Sequence, residues 1–381
     1  MRAKRIRFLI PFILVLLLVT GCWDSRDIED KDICTAVVVD RTDAGYAFYV
    51  EIAAIGQKDQ ERPEGAKSRM LSSQGRDLVE AREDLDRKSD KPIYLGAVQG
   101  VVLTQGMAYS GIEEYMYRLR QLPEYRKTVD VVITTSKPEE IMQASMDNDA
   151  LVGFSIEDTL QGLVDTGQSF HYSLADLLET LASPCKSYIL PTIGVKDGEI
   201  ALTGFSPFYK GDCIGFIPAE EAEGIVMMKA DEPVLLFKVP CMDTFVTAEV
   251  RMTKRNIKAS YQNGRIGFKV DYECDATLLY LERNLPVNEQ AAKIVMHELK
   301  SAITQQLNDA IAVSQNEYAC DYFNFFSTFR IKYPDVMKNL DWHEAYPRAS
   351  ISLDVKVDLD TVGNMDYNPR TEENEEKKQD R

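Results

Sequence analysis

Histidine is scarce in this 381-residue sequence, and the motifs of the common enzyme classes are missing. There is no glycine-rich phosphate loop, no Gly-x-Ser-x-Gly and no His-Glu-x-x-His. His297-Glu298 begins the last of these, but Ser301 stands where the second histidine belongs. The only other histidines, His171 and His343, are distant in the sequence. We therefore predict no catalytic residue, no cofactor, no metal site and no enzymatic activity. A zinc site built from two histidines and a cysteine–histidine nucleophile pair are the alternatives.

Positive charge is also in short supply. The sequence has 44 lysines and arginines against 61 acidic residues, which gives a net charge of −17 at pH 7. Such a surface is repelled by phosphate backbones and by anionic lipid head groups. Nucleic acid is therefore excluded as a partner, and charge alone cannot hold the protein on a membrane. The 45% of hydrophobic residues is nevertheless ample for one large core or for several smaller ones.

Long apolar runs are absent after the first two dozen residues. Those residues start with a basic stretch, continue with the apolar run from Phe8 to Thr20, which only Pro11 interrupts, and end with Gly21 and Cys22. This order is typical of a secretory signal. A small residue followed at once by cysteine indicates a bacterial lipoprotein signal. We predict that residues 1–21 are removed and that Cys22 becomes an S-diacylglycerol, N-acyl cysteine carrying fatty chains such as palmitate.

Two other interpretations of this segment compete. It could be an uncleaved transmembrane helix, or Cys22 could be an ordinary cysteine after an ordinary signal. The apolar run has thirteen residues, whereas a span needs about 20. We favour the lipid anchor, which attaches without spanning and holds stably when it has two or more acyl chains.

Six further cysteines have wide spacings and form no Cys-x-x-Cys pair. Six cysteines allow 15 pairings, so that no disulfide pattern follows from the sequence. Several of them lie within apolar strand patterns, and a chain of this length can fold stably without disulfide bonds. We predict buried free thiols at Cys34, Cys185, Cys213, Cys241, Cys274 and Cys320.

Strand and helix patterns alternate along the chain, which predicts an α+β fold of mixed and antiparallel sheets packed with helices, in three subdomains. We divide the chain into a signal peptide, an N-terminal α+β domain, a C-terminal α+β region that is split near residue 232, and a charged disordered tail. The ranges are 1–21, 22–196, 197–365 and 366–381.

Particular elements follow from periodicity and turn chemistry. We predict helices over 73–88 and 108–120, and a helix that Ser136 caps. Asn263-Gly264 predicts a tight hairpin. Apolar residues at every second position from 351 to 359 predict a closing strand.

The aromatic run Tyr322-Phe323-Asn324-Phe325-Phe326 has two interpretations. Core packing is the default, and a partner-binding surface is the alternative, because aromatic residues concentrate at the centres of interfaces.

The segment from Cys22 to Ile28, Cys-Trp-Asp-Ser-Arg-Asp-Ile, resembles the opening of the Ger(x)C spore germination lipoproteins, with Asp27 in place of the usual glutamate. The resemblance continues over nearly the whole mature chain. Its residues include Gly75, Tyr94-Leu95-Gly96, Gly111, Arg120, Arg126, Leu202-Thr203-Gly204-Phe205, the run Tyr209–Phe216, the run Asp321–Phe325 and Trp342. One departure is Ala97, because the family often has histidine after that glycine.

The resemblance implies a fold of three α+β domains without catalytic activity. It implies a lipoprotein on the outer face of the spore inner membrane, anchored through Cys22. There the protein would work with two integral membrane subunits of a nutrient germinant receptor. From the residues alone, a solute-binding lipoprotein of a transporter and an envelope hydrolase are the rival functions.

Overall fold

The computed structural model describes residues 30–54, 68–121, 124–144, 151–281 and 289–359. The signal segment with Cys22, and the tail predicted for 366–381, lie outside the described residues. None of the helices in the described ranges combines the length and the apolar character needed to cross a bilayer.

A ten-stranded mixed sheet organises the first half of the molecule. Its order is β10-β8-β7-β6-β5-β1-β2-β3, with β4 beside β1 and β9 beside β8. The strand β1 is central because its β-branched apolar run is buried on both faces. The strands are β1 Asp32–Thr42, β2 Gly45–Ala53, β3 Ser68–Gly75, β4 Ile93–Tyr94, β5 Gly100–Thr104, β6 Asp130–Thr134, β7 Ser187–Lys196, β8 Glu199–Tyr209, β9 Asp212–Cys213 and β10 Ile217–Pro218.

Six helices cover the two faces of this sheet. Two of them pack Ile141 and Ile156 against Val38 and Val102 on one face. The opposite face belongs to the main core and receives the apolar sides of the other four. The helices are α1 Leu78–Lys88, α2 Gln105–Tyr109, α3 Glu113–Gln121, α4 Pro138–Gln143, α5 Val152–Asp165 and α6 Leu174–Ala182.

A four-stranded sheet organises the second half, in the order β11-β12-β13-β14. The long helix α8 packs against this sheet and buries Leu299, Ile303 and Leu307. The elements are α7 Glu223–Lys229, β11 Val234–Cys241, β12 Thr244–Gln262, β13 Arg265–Leu281, α8 Glu289–Ala312, α9 Phe325–Lys332, α10 Pro334–Met337, α11 Trp342–Ala345 and β14 Ser350–Leu359.

The two halves share one continuous hydrophobic core. Close contacts cross between them. A Cβ added at Gly167 would lie 2.0 Å from the carbonyl oxygen of Val234, and the Cys320 thiol donates to the Phe208 carbonyl at 3.2 Å. The multi-domain α+β class is confirmed. The boundary between 196 and 197 coincides with the turn of the β7–β8 hairpin, and the domain limits stay a prediction.

One predicted turn and one predicted strand are confirmed. Asn263 and Gly264 have φ values of 51° and 76°, which is the left-handed pair that a two-residue hairpin requires. They join β12 to β13. The alternating segment near the C-terminus forms β14, which pairs in parallel with β13.

Other predictions were wrong in detail. The predicted helix over 73–88 begins only at Leu78, where Asp77 caps it with bonds from two backbone N–H groups. Residues 73–75 end the edge strand β3 instead. The predicted helix over 108–120 is two helices, because Gly111 between them has φ 92°.

The predicted cap at Ser136 was also wrong. The N-cap of α4 is Lys137, whose backbone N–H donates to the Glu140 carboxylate at 3.2 Å. The Ser136 hydroxyl instead accepts from the Val195 N–H at 2.9 Å and so ties this turn to β7. By contrast, Ser173 and Asp176 form a capping box at the start of α6, as their spacing indicates.

Candidate functional site

The lipidation residue predicted from the sequence, Cys22, lies outside the described residues, and the structure shows instead how the chain enters the fold. Asp32, the first residue of β1, forms an ion pair with Arg69 of β3. Its carboxylate also accepts from the Ser89 hydroxyl at 2.5 Å, and its N–H donates to the Pro92 carbonyl at 3.1 Å. These bonds fix the point at which any N-terminal tether joins the central strand.

The three histidines are not brought together. His171 Nδ1 lies 2.8 Å from the Asp130 carboxylate, the ring of His343 stacks on Tyr209 with centroids 4.2 Å apart, and His297 is exposed on α8. Among the described residues, no three His, Cys, Asp or Glu side chains are grouped so that they could hold a metal ion.

The six cysteines downstream of Cys22 are free, as predicted. Five are buried, and Cys185 is half-buried. Burial raises the pKa of Cys185, Cys274 and Cys320 to about 12. A thiol with such a pKa is protonated at neutral pH and is a poor nucleophile.

The aromatic run at 322–326 is core, which confirms the default interpretation. Its four rings are buried. Phe326 meets Trp342 edge-on at 5.7 Å between centroids, and Phe325 packs on Phe268 at 4.7 Å. Trp342 begins the short helix α11, which Asp341 caps by accepting from two backbone N–H groups.

A buried carboxylate holds this aromatic core together. Asp321 accepts from the backbone N–H groups of Phe325 and Phe326 at 3.0 and 2.6 Å and from Trp342 Nε1 at 2.9 Å. Burial raises the pKa of the Asp321 carboxyl to about 6, and the three donated bonds oppose that shift. The carboxylate therefore fixes the start of α9 against α11.

A cavity of about 380 Å³ lies beside Asp321, between the start of α6 and α9. Lys229, the last residue of α7, lines it together with Phe170 and Tyr172. Burial, with a further contribution from Arg255, lowers the pKa of the Lys229 ammonium to about 8. The sequence analysis missed this site, because Lys229 closes an apolar helix and resembles an ordinary C-terminal lysine.

Several glycines among the residues that carry the family resemblance are packed closely against neighbouring segments. A Cβ at Gly204 would lie 2.1 Å from the Ile217 carbonyl oxygen, and one at Gly215 would lie 2.2 Å from the Tyr318 ring. Gly211 has φ 90° and faces Glu113. Only glycine satisfies these positions without displacement, so this part of the likeness reflects packing of the β8–β10 region.

Comparison with known proteins agrees with this fold. Residues 24–195 match the family described as "Spore germination protein N-terminal domain", and residues 203–363 match "Spore germination B3/ GerAC like, C-terminal". The structure titled "Crystal Structure of the GerBC protein" superposes with a TM-score of 0.54 at 14% identity, over 86% of this chain and 97% of that one. That likeness shows the fold alone.

Similar sequences come from Bacillus subtilis (strain 168). Spore germination protein B3 is 20% identical over 94% of this chain and 98% of its own length. Spore germination protein YndF is 21% identical over 96% and 99%, and spore germination protein KC is 25% identical over 47% and 46%.

The molecule is thus a multi-domain α+β protein of the class built from these two spore germination regions in tandem. The chain belongs to the Ger(x)C family of spore germination proteins.

Proposed function

We propose that this protein is the lipid-anchored, non-enzymatic subunit of a nutrient germinant receptor, working with two integral membrane subunits on the outer face of the spore inner membrane. The observation that carries the proposal is the order of the matched regions. The N-terminal family region starts at residue 24, two positions after Cys22, the predicted lipidation residue that follows the predicted signal peptide.

The start of the fold supports a short tether. Nine residues separate Cys22 from Asp32, and fully extended they reach roughly 30 Å. Asp32 is fixed at the start of the central strand by Arg69 and Ser89. A lipid on Cys22 therefore keeps the body of the protein within a few nanometres of the membrane surface, close to integral membrane partners.

We also propose that the protein has no enzymatic activity. Three of the described titratable groups that could act as nucleophile or base have structural partners instead. Cys320 donates to Phe208, His171 pairs with Asp130 and Asp321 joins the aromatic core. We infer that the protein acts through contacts with its partners rather than through a reaction.

The experiment is purification of the epitope-tagged chain from detergent-extracted spore membranes. We expect two multi-helix membrane proteins to co-purify with it, and we expect spores that lack the chain to lose germination triggered by nutrients. Recovery of a transporter permease and its ATPase, together with normal germination of the deletion strain, would replace this proposal with the solute-binding lipoprotein.

A further inference from the structure

Strand β14 is a sheet edge, and within the described ranges its only neighbouring strand is β13. The four-stranded sheet has the order β11-β12-β13-β14. The segment Ser350–Leu359 contains no proline and no glycine, and it pairs with β13 without a bulge. The backbone groups on the open side of such a strand can pair with a further strand.

The other sheet edges each carry a feature that hinders such pairing. At the edge strand β3, Lys88 Nζ donates to the Ser72 carbonyl at 2.8 Å, and the Asp84 carboxylate accepts from the Gln74 N–H at 3.1 Å. Strand β10 has two residues, and strand β11 contains Pro240, which has no N–H group. Proteins commonly protect sheet edges in these ways. The long, regular edge of β14 is an exception that needs a physical reason.

The two faces of β14 differ in character. Its odd-numbered residues are apolar and face the core, and three of them are only half-buried: Ile351, Leu353 and Leu359. Its even-numbered residues are exposed, with side-chain exposures of 58% at Asp354 and 65% at Lys356. A strand added to this edge would therefore cover apolar surface on one face and meet charges on the other.

The order of residues in β14 fits a second copy of the same strand. Two identical strands that pair across a twofold axis run antiparallel, and residues directly opposite each other share a face. When Val355 lies on the axis, Asp354 of each copy is opposite Lys356 of the other, so that two opposite-charge pairs form. The apolar residues then meet as Leu353 with Val357 and Ile351 with Leu359.

The neighbouring registers lose this match. An axis at Asp354 or at Lys356 places that charge opposite its own copy, which is unfavourable. An axis at Leu353 pairs both charges with serines. An axis at Val357 leaves only the last five residues of Ser350–Leu359 paired in each strand. The complementarity is therefore specific to the register centred on Val355.

We propose that two copies of this protein associate through β14, antiparallel and with Val355 on the twofold axis. The two four-stranded sheets then become one sheet of eight strands, and the half-buried apolar residues of both edges are covered. This interaction surface is independent of the lipid anchor and of the proposed receptor role.

Sedimentation of the full-length protein in detergent measures the association. We expect the wild type to reach twice the monomer mass, after correction for bound detergent, at concentrations up to about 50 μM. A wild-type protein that stays monomeric over this range would overturn the proposal, whether the edge of β14 is left open or is covered by another part of the same chain.

Charge reversal on β14 tests which surface is used. Lys356→Asp converts both opposite-charge pairs into pairs of aspartates, and Asp354→Lys converts both into pairs of lysines. We expect each variant to raise the dissociation constant by about tenfold or more. Lys338→Asp is the control, because Lys338 is exposed and forms a surface ion pair with Asp335 away from β14. Equal dissociation constants for Lys356→Asp and the control would contradict the proposal.

Mixing the two β14 variants tests the register. The Asp354→Lys chain carries lysine at both positions and the Lys356→Asp chain carries aspartate at both, so the proposed register pairs each lysine with an aspartate. We expect the equimolar mixture to form heterodimers about as tightly as the wild type associates, and the doubly substituted Asp354→Lys/Lys356→Asp chain to recover self-association. Circular dichroism shows that each variant is folded. Folded variants that do not associate on mixing would overturn the antiparallel register.

Discussion

Trp342 donates its indole N–H to the Asp321 carboxylate at 2.9 Å, inside the aromatic core of the second half. Both residues are buried. The same carboxylate accepts two backbone N–H groups at the start of α9. One side chain thus joins α9 to α11 in a region of low dielectric, where an unpaired donor is expensive.

Replacing Asp321 with asparagine should destabilise the protein. The amide would present its own N–H groups to donors that now meet a carboxylate, so we expect a loss of about 2–4 kcal/mol in the free energy of unfolding. Denaturant unfolding followed by tryptophan fluorescence measures it. Asp335→Asn is the control, because Asp335 is exposed and forms a surface ion pair with Lys338, and its effect should be under about 1 kcal/mol.

The cost of Asp321→Asn should depend on pH. The folded pKa of Asp321 is raised to about 6, above its unfolded value near 3.9. The folded state therefore holds an extra proton between these values, and stability falls as pH rises through the window. The difference between the wild type and Asp321→Asn should shrink by about 2 kcal/mol between pH 4 and 6. A difference that is constant across this window would refute the assignment.

Lys229→Met should stabilise the protein. The folded pKa of Lys229 is lowered to about 8, so keeping the half-buried amine protonated costs free energy at neutral pH. We expect a gain of about 1–3 kcal/mol at pH 7. The direction of the pKa shift also determines how stability depends on pH. Relative to the variant, the wild type should gain stability between pH 8 and 10. Destabilisation by this substitution at pH 7 would mean that the ammonium is satisfied in the folded state.

Two glycines of α5 provide a matched pair. A Cβ at Gly153 would lie 2.2 Å from the Thr35 carbonyl oxygen, whereas a Cβ at Gly162 meets nothing within 4 Å. Gly153 also donates its N–H to the buried Glu51 carboxylate at 3.1 Å. We expect Gly153→Ala to cost more than about 2 kcal/mol, because backbone must move, and Gly162→Ala to stabilise by up to about 1 kcal/mol. Thermal unfolding of both variants measures this, and equal Tm values would contradict a tight contact at Gly153.

The sequence predicted elements with strong local signals and missed those that depend on distant residues. The apolar run of β1 and the Asn263-Gly264 turn determine their own conformation. Strand β3 was missed because Ser68–Gly75 is largely polar and exists through pairing with β2. The prediction of a single helix over 108–120 overlooked Gly111, whose positive φ separates two helices.

The candidate sites divide in the same way. The lipoprotein signal predicted at Cys22 is a contiguous motif and needs no fold to be recognised. The cavity at Lys229 has no such motif, because its walls come from α6, α7 and the segment that begins at Asp321. Neither the charge of Lys229 nor that of Asp321 indicates, in sequence, that the other lies near.

The central claim, a receptor subunit that works from a lipid anchor, is tested most directly by Cys22→Ala. Membrane and soluble fractions of spores are probed for the chain, and nutrient-triggered germination is scored in the same spores. Cys185→Ala is the control, because Cys185 is a free, half-buried thiol of the folded body. We expect Cys22→Ala to move the chain out of the membrane fraction and to reduce germination, and Cys185→Ala to do neither. Full germination by a soluble Cys22→Ala chain would contradict the account.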